Sequence, residues 1–134
     1  MNPDRRCPCH SRKKYKRCCA PFHKGRAAPS PQLLMRSRFA AYALGLVDYV
    51  IDTTDPSGPQ WVADREAWRQ SIERFSANTT FQGLRIEGHT EDTVAFHATL
   101  EQMGQDASFR ENSRFVQQDG RWLYHGAVTL SPAR

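Results

Sequence analysis

All four cysteines of this 134-residue chain fall in one short run, Cys7-Pro8-Cys9-His10-Ser11-Arg12-Lys13-Lys14-Tyr15-Lys16-Arg17-Cys18-Cys19. Thiolates are preferred soft ligands for zinc, and four of them complete the closed tetrahedral shell of a structural site, leaving no position for a substrate. The spacing is Cys-x-Cys, eight residues, then adjacent Cys-Cys, which differs from the commoner Cys-x2-Cys knuckles. Disulfides are a poorer reading, because any pairing joins near neighbours or crowds two bridges together, and the polar, basic N-terminus is no secretory signal. A catalytic cysteine is poorer still, since a closed metal shell quenches the nucleophile. His10 and His23 are alternative ligands by type, but both are expected as solvated imidazoles beside a basic loop.

A second set of residues has the types needed for chemistry in a pocket. Glu111 has the character of a general base if apolar walls raise its pKa, Arg36 or Arg38 can hold an anionic substrate, and Tyr42, Tyr124 or His97 can donate a hydrogen bond. The structural alternative is a buried Glu–Arg pair with no chemistry. No complete catalytic set can be assembled from the sequence, so no residue is assigned as catalytic and a binding protein is preferred over an enzyme.

The elements that must position these residues are legible from periodicity. Lys24 to Ser30 reads as a linker, with Ser30 capping a helix whose first position is Pro31. Met35, Phe39, Tyr42, Ala43, Leu46, Val47 and Val50 recur at helical spacing and predict a single helix with one core-facing stripe, Arg36 and Arg38 lying at its opposite edges. Turn formers from Asp52 to Pro59 end it. A second helix is predicted with Trp61, Trp68, Ile72 and Phe75 on one face and its exit at Asn78. Beyond Phe81 the period falls to two, giving strands through Leu84 and Ile86 and through Val94, Phe96, Ala98 and Leu100, with a turn near Thr90 to Asp92. Asp119-Gly120 predicts a two-residue hairpin that pairs Phe115 with Tyr124, Arg114 with His125, Ser113 with Gly126 and Glu111 with Val128. One face then carries Glu111, Ser113, Phe115, Trp122, Tyr124 and Val128, so Glu111 is directed inward. Helices followed by antiparallel strands make the class α+β.

Charge is unevenly placed. Residues 1–26 hold nine Lys/Arg against one Asp, and residues 27–134 hold ten against thirteen Asp/Glu. Four thiolates around one divalent ion leave a net negative cluster, so Lys13, Lys14, Lys16 and Arg17 either neutralise it or form a contact surface for phosphates or an acidic partner. Tyr15 is expected to pack over the metal loop, with Phe22 beside it, in preference to stacking on a nucleic-acid base. No run approaches the length of a membrane span, and a reducing cytoplasm is the expected compartment.

Cys-Pro-Cys, Ser11, Lys13-Lys14-Tyr15-Lys16 and Cys18-Cys19 resemble the SEC-C motif, the zinc element first known from the tail of the SecA translocation motor. The resemblance implies Cys7, Cys9, Cys18 and Cys19 as ligands to one structural Zn2+. His10 and Arg12 stand where that motif carries glycines, which implies a reshaped turn. Leu34-Met35-Arg36-Ser37-Arg38-Phe39, Asp48-Tyr49, Ser113-Arg114-Phe115 and Gly120-Arg121-Trp122 resemble the uncharacterised bacterial YchJ family. That resemblance implies a metal motif over residues 1–26 and, over residues 27–134, a nuclear-transport-factor-2-like cone, a curved antiparallel sheet wrapped around N-terminal helices.

Three functions follow as expectations. The first is an adaptor docking on an unidentified protein partner through Lys13, Lys14, Lys16 and Arg17, with an anionic lipid or ribosomal surface as variants. The second is a small-molecule-binding protein or enzyme using the cone interior around Glu111, Arg36 and Arg38. The third is nucleic-acid binding through the same basic loop. Cones of this kind also pair through their sheets, which makes a homodimer an expectation.

Overall fold

A computed structural model describes Asn2 and residues 4–133. A 3-10 turn (Tyr15–Arg17) and a one-turn helix α1 (Ala20–His23) close the cysteine segment, followed by helices α2 (Pro31–Leu44), α3 (Val47–Asp52) and α4 (Arg65–Ala77). Strands β1 (Thr79–His89), β2 (Thr93–Gln102), β3 (Gln105–Asp106), β4 (Phe109–Gln118) and β5 (Arg121–Pro132) complete the chain. The sheet runs β1-β2-β4-β5, every pairing antiparallel, with the short β3 also on β2.

The predicted N-terminus of α2 is the observed one: Ser30 Oγ accepts from Leu33 N at 3.2 Å, with Pro31 in the first turn. Its C-terminus corrects the single-helix reading. Gly45 adopts φ 73°, Leu46 N donates back to Ala41 O at 2.8 Å and Gly45 N to Tyr42 O at 3.3 Å. This is a Schellman stop, and only glycine takes that backbone without strain. Leu46 therefore leaves the stripe and is exposed, while Val47 and Val50 belong to the separate α3.

α2 also has more than one buried stripe. Leu34, Met35 and Phe39 face Val94, Phe96, Ala98, Leu100 and Phe115 of the sheet. Ala41 joins Val47, Val50, Ile51 and Ile72 under α3 and α4, and Ala40 packs against the cysteines. A central helix enclosed on several sides loses the one-sided pattern of a surface helix. Each large side chain buried this way contributes about 1.5–3 kcal/mol.

Asp64 caps α4, its Oδ1 accepting from Ala67 N at 3.1 Å, and Asn78 caps the other end, where the exit is predicted. Trp61 lies ahead of the helix, meeting the edge of Trp68 with ring centroids 5.1 Å apart. The strands fall where the period-two pattern placed them, and Asp119 and Gly120 turn the last hairpin with φ 52° and 77°.

Register shifts between Phe81 and Gly83 and between Ile86 and Gly88 in β1, and two more between β4 and β5, bend the sheet around the helices. The last two overturn part of the predicted hairpin register. Phe115 does pair with Tyr124, but Arg114 pairs with Gly126, Ser113 with Ala127 and Glu111 with Leu130. His125 and Val128 are the inserted residues. The bulge frees His125 to reach Asp55, Nδ1 to Oδ2 2.8 Å, and leaves Val128 exposed. The same loop borders β5, with Asp55 N donating to Tyr124 O and Tyr124 N to Thr53 O, both at 2.8 Å. Gly58 permits this approach, since a Cβ there would stand 2.5 Å from His125 O. Among the described residues no helix is long and apolar enough to cross a membrane.

Candidate functional site

The cysteine segment is a small hairpin followed by a turn. Arg6 and Lys14 form an antiparallel bridge, Cys7 N donates to Lys13 O at 2.8 Å, and Tyr15 N donates to Arg5 O at 2.8 Å. Cys7 and Cys9 project from the hairpin, while Cys18 and Cys19 lie between the 3-10 turn and α1, bringing the pairs together. The four sulfurs all lie within 4.8 Å of one another, with Cys9 and Cys18 at 3.5 Å and Cys18 and Cys19 at 3.9 Å. Four thiolates on a tetrahedral ion with metal–sulfur bonds of about 2.3 Å would be about 3.8 Å apart, so the cage fits such an ion. No pair is at bonding distance, and all four cysteines are free.

Crowding sets the thiol acidities against one another. Cys9, hydrogen-bonded by Cys19 and Cys7, is held far below the ordinary thiol range, whereas Cys19 is pushed far above it, first by its hydrogen bonds with Cys7 and Cys9 and then by burial. A cation at the centre is what allows all four to ionise together. The donor set is therefore that of a closed, structural metal centre.

The turn inside this element is not reshaped by the missing glycines. His10 and Arg12 adopt φ 63° and 73°, the left-handed backbone that glycine would supply, and each has contacts that hold it there. His10 Nε2 donates to Phe81 O at 3.0 Å and its ring meets the edge of Phe39; Arg12 O accepts from Arg6 Nη1 at 2.7 Å.

Of the two imidazoles expected to be solvated, His10 is exposed and His23 is not. His23 Nε2 faces Ser37 O at 2.8 Å, an oxygen that only accepts, so Nε2 carries the proton and Nδ1 accepts from Tyr15 OH at 2.6 Å. With both nitrogens used, His23 is no ligand. Burial pushes its pKa down and keeps the ring neutral. Tyr15 packs on the cysteine cluster as expected, but Phe22 turns away to the sheet side of the core. Arg36 also serves this element, donating from Nη1 to Cys9 O at 3.0 Å. The knuckle is thus fastened to α2 and β1 by His10, His23 and Arg36.

Lys13, Lys14, Lys16 and Arg17 are all exposed. Lys16 Nζ pairs with Asp4 Oδ1 at 2.8 Å, while Lys13, Lys14 and Arg17 have no carboxylate within ion-pair distance among the described residues.

Between the helices and the concave face of the sheet lies a cavity of about 830 Å³. Phe39, Phe75, Phe81, Phe96 and Trp68 are among its apolar walls, and its polar lining includes Arg38, Tyr42, Thr54, Glu111, Ser113 and Tyr124, with Asp106 as a second carboxylate. Of the residues the sequence marked for a pocket, Arg38, Tyr42, Glu111 and Tyr124 line this cavity. Arg36 does not, being spent on Cys9. His97 points from the opposite face of β2, where its Nδ1 lies 3.5 Å from Arg85 Nη2.

Arg38 and Glu111 do not pair. Glu111 Oε2 accepts from Tyr124 OH at 2.7 Å and from Ser113 Oγ. Arg38 Nη1 donates to Val50 O at 2.9 Å, Thr53 Oγ1 at 2.7 Å and Thr54 Oγ1 at 3.1 Å, and its guanidinium carbon sits 4.7 Å from the Tyr124 ring centroid. Burial, then the Glu111 carboxylate, pushes the Tyr124 phenol well above the ordinary range, so it remains a donor. Thr53 and Thr54, which orient Arg38, read only as turn residues in the sequence.

Helices seated in a bent antiparallel sheet, with a four-cysteine knuckle at the N-terminus, define a nuclear-transport-factor-2-like domain carrying a SEC-C motif. Residues 6–21 match the SEC-C motif model, and residues 30–127 match the model described as YchJ, middle NTF2-like domain. The chain belongs to the YchJ-like family. It is 44% identical over 128 residues to a UPF0225 protein of Deinococcus radiodurans, covering 94% of this chain and 91% of that one. The solution structure of a SEC-C motif containing protein from Rhodopseudomonas palustris matches with a TM-score of 0.75 at 33% identity, covering 97% of this chain and all of that one. A crystal structure of a SEC-C motif containing protein from Psychrobacter arcticus shares the fold at 22% identity, with a TM-score of 0.74 over all of this chain and 88% of that one.

Proposed function

We propose that Cys7, Cys9, Cys18 and Cys19 hold one structural zinc ion, and that the protein is an adaptor whose zinc-held knuckle docks on an acidic surface of a protein partner. The observation that carries this reading is the exposure of Lys13, Lys14 and Arg17, without ion pairs among the described residues, on an element anchored to the body by His10, His23 and Arg36. Charges left unpaired on a rigid element lose little conformational freedom on docking and steer an oppositely charged surface toward it. Four free thiols suit a reducing cytoplasm, where such a site stays loaded with metal.

The test is a charge reversal, Lys13→Glu with Lys14→Glu and Arg17→Glu, in otherwise intact zinc-loaded protein. Cross-linking in cell extract, treated with nuclease and cleared of membranes, should join the wild type to a discrete protein through residues 11–19. Reversal should abolish that adduct without changing metal content. An adduct unaffected by reversal sinks the reading, and binding that disappears with nuclease or transfers to anionic vesicles reassigns the loop to nucleic acid or lipid.

A further inference from the structure

The cone interior contains a charge arrangement that packing alone does not explain. Arg38 is only 8% exposed and lies on the cavity wall. Its three hydrogen bonds all leave from Nη1, and all go to neutral oxygens. Among the described residues no carboxylate lies within ion-pair distance of it, and Nε and Nη2 have no acceptor. A guanidinium so far out of water ordinarily brings a counter-anion with it. The Tyr124 ring supplies part of that compensation as a cation–π contact, and the threonines fix where the group sits. The edge left over borders open space, next to a wall of Phe39, Phe75, Phe81 and Phe96.

We propose that this cavity binds a small apolar monocarboxylate, its anionic head on Arg38 and its apolar body against the phenylalanine wall. A volume of about 830 Å³ is within the range of pockets that enclose small organic ligands. Glu111 limits the charge of that ligand. It is one of two carboxylates in the lining, with Asp106, and it is held toward Tyr124 and Ser113, so a second anionic group on the ligand meets repulsion. One negative charge satisfies Arg38, and two do not suit the site. The exposed lining residues are Gln60 and Ser71 on the helical side and Asp106, Leu130, Ser131 and Pro132 on the sheet side, with the half-buried Trp68 as a built-in reporter.

The experiment uses full-length zinc-loaded protein and three probes of one shape: 1-naphthoate, the neutral 1-naphthamide and the dianionic 1-naphthyl phosphate. Titration by NMR, with Trp68 indole shifts followed, should show saturable binding of the carboxylate, and the amide should be weaker by about tenfold, as expected for loss of a charge-assisted hydrogen bond. The phosphate should be weaker than the carboxylate. Ser71→Trp, a change at an exposed rim position, should block the probe and leave the fold intact. Arg38→Gln should bring carboxylate and amide to equal affinity. If Arg38→Gln does not fold, the wild-type preference together with the Ser71→Trp block decides the matter. Equal affinity for carboxylate and amide in the wild type, no saturable binding of any probe, a phosphate that binds tightest, or binding undisturbed by Ser71→Trp each overturns the proposal.

Discussion

The knuckle and the cone interior answer the same problem, polar groups away from water, in opposite ways. In the knuckle four thiols converge within 4.8 Å of one another, and an ion at their centre would consume every donor. In the cone a guanidinium, two carboxylates and several hydroxyls are spread over the wall of a cavity of about 830 Å³, and one edge of Arg38 is unspent. A closed set of donors gives rigidity and nothing to bind, whereas an open set keeps capacity for a ligand at the expense of stability. On the proposals above, a metal in the knuckle would serve to present a surface, and a ligand would belong to the cone.

The largest expected effect separates the two regions outright. Structural zinc in elements of this size accounts for roughly 10–16 kcal/mol of local folding free energy. Cys9→Ser should therefore lose stoichiometric metal, measured by elemental analysis after dialysis, and disorder residues 5–23 in amide spectra. The amides of β2 and β4 should stay protected from exchange. If the strands melt together with the knuckle, the two regions are one cooperative unit and the contrast fails.

Phe115→Ala tests the converse. Phe115 is fully buried against Val94, Phe96 and Phe39, and truncating it should cost about 3–5 kcal/mol in urea unfolding of the cone. Metal content should not change.

A smaller effect comes from the Asp55–His125 pair that holds the loop against β5. The hydrogen bond from His125 depresses the Asp55 pKa below its usual 3.8, with Ser57 N adding to it. A depressed carboxylate contributes stability that is fully present above 3.8 and is lost as pH falls through its lower folded value. Acid titration should loosen residues 53–58 in amide exchange as pH falls below 3.8, and Asp55→Asn should remove that part of the acid dependence. Loosening that persists in Asp55→Asn would falsify the assignment.

The smallest effect lies inside the knuckle. Arg12→Gly relieves a left-handed backbone and should raise stability by about 1 kcal/mol or less, because the unfolded chain gains freedom too. His10→Gly relieves the same strain but forfeits the bond to Phe81 O, a net contribution of about 0.5–1.5 kcal/mol, so it should be neutral or destabilising. Thermal melts of the metal-loaded variants rank the two, and equal gains would mean that His10 does not fasten the knuckle to β1.

Several features were legible without coordinates because their physics is local. Ser30-Pro31 and Asp119-Gly120 act through their own backbones, and the cysteine pairs are separated by a run short enough to fold back on itself. The stop at Gly45 is equally local but is masked by apolar residues that continue through it in helical phase. The strand register failed at His125 and Val128, since a bulge obeys what the neighbouring loop offers and not the alternation of the strand.

The four-cysteine cluster and the α+β order were thus written in the chain itself, through donor type, spacing and period. The destinations of Arg36 and Arg38 were not. Helical geometry gives their angular positions, but whether each meets the Cys9 carbonyl, a threonine pair or an open cavity depends on segments far away in sequence. The cavity exists because bulged strands curve around a helix enclosed on several sides, an outcome of packing many elements at once that no single stretch encodes.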